Sequence, residues 1–79
     1  MDYQNNIYVY ARAYNEKQEQ KLINTGFQYF DVYGILIFYI TIFENNESFI
    51  FYDFEVKLKH ARQQFLNAGI LFDDIRITL

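Results

Sequence analysis

The first alternating stretch of the chain is "NIYVYARAY", where Ile7, Val9 and Ala11 interleave with Tyr8, Tyr10 and Arg12. A strand turns successive side chains to opposite faces. This pattern therefore predicts a half-buried strand whose second face is itself partly apolar. Asn15 follows, three residues before Gln18, as an N-cap with its capping-box partner, so a helix is expected to start near Glu16. Its end has two readings. Gly26 can close it as a left-handed cap, leaving "FQYFDVY" as a strand. Alternatively Ile23, Phe27 and Phe30 form one helical stripe, with Gly26 tolerated at about 1 kcal/mol and Gly34 as the stop.

Further on, "ILIFYITIF" (Ile35 to Phe43) predicts a strand, "ENNE" a polar turn, and "SFIFYDF" the returning strand. In that returning strand Phe49, Phe51 and Asp53 share one face, while Ile50, Tyr52 and Phe54 share the other. "EVKLKHARQQFLNAG" places Leu58, Ala61, Phe65 and Leu66 on one helical face and stops at Gly69. "DDIRITL" alternates Ile75, Ile77 and Leu79 with Arg76 and Thr78. The predicted order is β-α-β-β-α-β. Two βαβ halves give an α+β, ferredoxin-like sandwich with a four-stranded antiparallel sheet and both helices on one face. Ile7, Val9, Leu58, Ala61, Phe65, Ile75 and Ile77 are the expected core. The other sheet face is left open.

Composition narrows the function classes. Seventy-nine residues suffice for one domain, 1–79, near the lower size limit for a core without staples. There is no cysteine, hence no disulfide, thiolate metal site or thiol nucleophile, and a reducing compartment fits. Eight Tyr and nine Phe supply the burial that a short chain otherwise lacks. The net charge of −3 argues against a surface that grips phosphates throughout. The start "MDYQNN" has no basic-then-apolar leader pattern, and "YGILIFYITIF" is too short to span a bilayer.

Candidate chemistry is sparse. Gly26, Gly34 and Gly69 are scattered and form no phosphate loop. His60 lies among Lys57, Lys59 and Arg62 on what reads as a wet helical face. Asp73 and Asp74 are adjacent, so on an approaching strand their side chains diverge, and they read as turn formers. The expectation is a binding module without catalysis, metal or cofactor.

On the open face the pattern places Tyr8, Tyr10, Arg12, Phe49, Phe51 and Arg76. Here the chain resembles the RNA recognition motif family. "IYVYAR" is similar to that family's first-strand motif, and "ESFIFYDF" to its third-strand motif, which reads K/R-G-F/Y-G/A-F-V-x-F/Y. "FDVYGIL" resembles the family's sequence at the end of the first helix, which favours running that helix through Gly26 to about Val32. "ARQQFLNAGILFDDIRITL" is similar to its second helix and closing strand. The resemblance implies single-stranded RNA binding, with Tyr8, Phe49 and Phe51 stacking bases and Tyr10 flanking them. Arg12 and Arg76 would meet phosphates or base edges. It also implies an intracellular setting, the nucleus included.

The departures point to a second partner class. The third-strand motif begins with Glu47 in place of a basic residue, Ser48 and Ile50 replace glycines, and "ENNE" is short and acidic. These features, with "VKLKHARQQFLNAG", resemble the protein-binding branch found in nucleoporins of the thirty-five/fifty-three type. That branch implies a homodimer, or another protein partner, on the same sheet face. A small regulatory-ligand domain shares the topology, but no pocket motif supports it.

Overall fold

The computed structural model describes residues 6–44 and 51–78. Strand β1 spans Ile7–Ala11, helix α1 Glu16–Thr25, β2 Gln28–Val32, β3 Ile35–Phe43, α2 Phe51–Asn67 and β4 Arg76–Ile77, with a short 3₁₀ turn at Phe72–Asp74. The order is β-α-β-β-α-β, as the sequence pattern predicts. The sheet runs β2-β3-β1-β4, every neighbouring pair antiparallel.

Helix α1 begins where the N-cap predicts. Asn15 has extended φ/ψ and its Oδ1 accepts from Gln18 N at 2.8 Å. The Gln18 side chain in turn accepts from Tyr14 N at 2.7 Å, one residue before the usual capping-box donor. The helix ends at Gly26, not at Val32. Gly26 sits at φ 100°, its amide bonds Ile23 O, and Phe27 N bonds Leu22 O at 3.1 Å. That pair of bonds is a Schellman motif. It turns Phe27, just beyond the cap, back onto the core beside Leu22 and Ile23. Phe27, the residue whose amide closes the cap on Leu22, reaches the core from beyond the helix end and not as the next turn of a helical stripe. Helix α2 ends in the same way, with Gly69 N on Leu66 O and Ile70 N on Phe65 O, both at 3.0 Å.

Ending α1 at Gly26 moves the next three elements. "FDVYGIL" is a strand, a turn and a strand. Tyr33 and Gly34 form a two-residue hairpin loop between the paired Val32 and Ile35, both at positive φ, 53° and 84°, as a type I′ turn requires. Asp31 Oδ1 accepts from Gly34 N at 2.8 Å. "ILIFYITIF" is therefore the third strand and not the second. The expected returning strand "SFIFYDF" is corrected too. Phe51 opens helix α2, whose core stripe is Phe54, Leu58, Ala61, Phe65 and Ala68. Phe49 lies outside the described residues. A run of bulky apolar residues fits a strand or a buried helix face equally well, so periodicity alone does not separate them.

The core lies between the helices and one sheet face. Val9, Ala11, Leu22, Phe38, Ile42, Ala61, Phe65, Ala68, Ile70 and Ile75 are buried, and Ile7, Leu58 and Ile77 pack against them. Phe27 stacks on Phe65 at 4.9 Å between centroids. Leu66, expected on this stripe, is not part of the core and is 36% exposed.

Candidate functional site: the open sheet face

The strand registers determine which side chains share the open face. On β1, Val9 and Ala11 point into the core, so Tyr8 and Tyr10 point away. Antiparallel partners lie on the same face. Tyr8 is opposite Thr41 and Tyr10 opposite Tyr39, while Phe30 is opposite Ile37 and Val32 opposite Ile35. Arg76 is opposite Tyr10 at the other side of β1. The result is an apolar strip across β2, β3 and β1, with Phe30 45%, Val32 47% and Ile35 43% exposed.

Three rings meet at its centre. Phe30 stacks on Tyr39 with centroids 4.2 Å apart and planes 11° from parallel. Tyr8 meets Tyr39 edge-on at 5.2 Å and Phe30 at 6.0 Å. Two rings lying side by side in one plane cannot bring their centroids that close, so at 4.2 Å Phe30 and Tyr39 must cover one face of each other. The rings form a packed cluster, and part of the surface that a base would stack on is already used.

The cations of this face gather at one end. Arg12 and Arg76 line a hollow of about 480 Å³ with Tyr10, Ile37, Tyr14 and Asp74. Tyr14 donates its hydroxyl hydrogen bond to Asp74, and the same oxygen accepts from Leu71 N at 3.0 Å. The bond to Asp74 is the main reason the Tyr14 pKa is raised above its ordinary 10.0. Leu71's amide pulls it back in part, while desolvation and the Asp74 charge push it further up.

Of the expected site residues, Tyr8, Tyr10, Arg12 and Arg76 lie on or beside the open face. Phe51 does not, because it belongs to α2. Sequence reasoning missed Phe30, assigned to a helical stripe, and Tyr39, left unremarked within a strand. The signal was present in "YFDVYGILIFY": a residue-Gly pair between two apolar runs marks a two-residue hairpin, which puts Phe30 and Tyr39 on one face.

Among the described residues no helix is long and apolar enough to cross a membrane. No family model matches the chain, and no curated protein or solved structure matches it.

Proposed function

We propose that this protein is a self-associating interaction module whose open sheet face is covered by a second copy of the chain. The observation that carries the reading is the Phe30–Tyr39 stack with Tyr8 edge-on against both rings. Rings that spend their faces on one another present a finished apolar surface. Val32, Ile35 and Ile37 extend that surface with aliphatic side chains, which offer a base nothing to stack on. An uncharged centre is complementary to itself across a two-fold axis, because it leaves no buried charge unpaired. A contiguous apolar face of this kind is what marks a protein contact on a small domain.

Single-stranded RNA is the competing reading. Its support is the hollow where Arg12 and Arg76 flank Tyr10. Two arginines neutralise only a couple of phosphates, and the net charge of −3 opposes approach of a polyanion. Membership of the RNA recognition motif family would have to rest on the topology, since Phe51 to Phe54 of "ESFIFYDF" lie in α2 and "FDVYGIL" runs through β2, a turn and β3.

Sedimentation mass measurements with and without labelled RNA oligomers of mixed sequence decide between the two. The expected result is an associated wild type, a lighter Ile37→Lys variant with unchanged circular dichroism, and no saturable RNA signal. A monomer that binds RNA, and loses about 1–3 kcal/mol of binding on Tyr8→Ala, overturns the proposal.

A further inference from the structure

Strand β2 is an outer strand among the described residues, and all five of its residues are exposed. The opposite outer strand, β4, has only two residues, which is itself a protection against pairing. β2 is longer and carries a single charge, Asp31. Its sequence "QYFDV" has no proline, lysine or arginine, and its register with β3 runs unbroken from Gln28 to Val32. A free edge of this kind is a template for another strand.

We infer that two copies of the chain pair along their β2 edges, antiparallel, with Phe30 on the two-fold axis. The argument comes from the hairpin. Val32 and Ile35 flank a two-residue turn and so form a hydrogen-bonded pair, and the pattern alternates along the strand. Gln28, Phe30 and Val32 aim their amides and carbonyls at β3. Tyr29 and Asp31 aim theirs outward, and among the described residues no turn or loop backbone bond engages them.

A second β2 centred on Phe30 meets this arrangement group for group. Tyr29 lies opposite the partner's Asp31, and Asp31 opposite the partner's Tyr29. All four outward backbone groups on each strand are then paired. Phe30 faces the partner's Phe30 as a non-hydrogen-bonded pair, the position where cross-strand side chains come closest. Charge selects the same register: centring the pair on Asp31 would set two carboxylates directly opposite, whereas centring it on Phe30 keeps them apart. The ring cluster then continues from one copy into the next.

This edge is separate from the face contact proposed above. Its axis stands perpendicular to the sheet and a face-to-face axis lies parallel to it, so the two together close a tetramer where the axes intersect and build an open filament where they miss. Chemical synthesis with N-methyl-Tyr29 removes one outward donor and leaves the side chain and the β3 ladder in place. The expected sedimentation masses are a tetramer or larger for wild type, a dimer for N-methyl-Tyr29 and for Ile37→Lys, and a monomer for the combination. Amide exchange at Tyr29 and Asp31 should also speed up on dilution, since only pairing protects outward amides. If N-methyl-Tyr29 keeps the wild-type mass, or those amides exchange at a rate independent of concentration, the edge pairing is wrong. If N-methyl-Tyr29 alone gives a monomer and Ile37→Lys changes nothing, the edge pairing holds and the face contact fails.

Discussion

Tyr14 and Asp74 join the segment that leads into α1 to the 3₁₀ turn before β4, 60 positions later in the chain. The folded pKa of Tyr14 is raised, so the folded state holds that proton where the unfolded chain has released it. The stabilisation is fully present below pH 10.0 and is lost as pH rises through the higher folded value. In a tyrosinate absorbance titration, Tyr14 should give a late phase above its ordinary 10.0. Tyr14→Phe should delete that late phase and flatten the alkaline fall in stability.

Tyr33 is the one non-glycine residue at positive φ among those described, and its ring is 101% exposed. It contributes no packing and adopts a left-handed backbone at a cost of about 1–2 kcal/mol. Tyr33→Asn, which makes the Asn-Gly pair that type I′ turns favour, should raise stability by about 1 kcal/mol in urea unfolding. An unchanged or lower midpoint would show that the loop does not keep this turn in solution.

Phe65 is fully buried and stacked on Phe27, whereas Leu66 beside it is not part of the core. Phe65→Ala should cost about 3–5 kcal/mol, enough to unfold much of a domain this size. Leu66→Ala should cost markedly less, on the order of 1 kcal/mol, because Leu66 keeps 36% of its surface exposed. Parallel denaturation curves of the two variants test the register of α2 directly.

The stack of Phe30 on Tyr39 should register as coupling. A double-mutant cycle with Phe30→Leu and Tyr39→Leu is expected to give an interaction of about 0.5–1.5 kcal/mol, read from unfolding midpoints. Additive effects would mean that the two rings do not cover each other.

The order of elements and the two faces of β1 were legible because Ile7 to Arg12 alternates cleanly and Asn15 with Gln18 marks the helix start without ambiguity. The middle of the chain was not. Phe27 lies four residues after Ile23 both in a continuing helix and in a Schellman cap, so spacing could not tell the two apart. Only the backbone of Gly26 decides. That decision shifts every strand assignment up to α2, and with it the aromatic face from Phe49 and Phe51 to Phe30 and Tyr39. The apolar run at Phe49–Phe54 misled for a related reason. Four successive bulky residues satisfy a strand pattern, yet Phe54, one acid further on, starts with Leu58 a helical stripe.

Placing the first strand between the third and the fourth has a consequence for biosynthesis. β1 leaves the ribosome early, yet the Tyr8 amide donates its hydrogen bond to Thr78 Oγ1, 70 positions on. The β2–β3 hairpin and the two helices rely on neighbours in sequence and can form as they emerge. β1 must wait. Tyr8 and Tyr10 stay open to other nascent chains until β3 is complete, and β1 keeps one bare edge until Arg76 and Ile77 arrive. A product truncated before β4 retains the hairpin with β1 paired on one side and bare on the other, a species for chaperones to hold or proteases to clear.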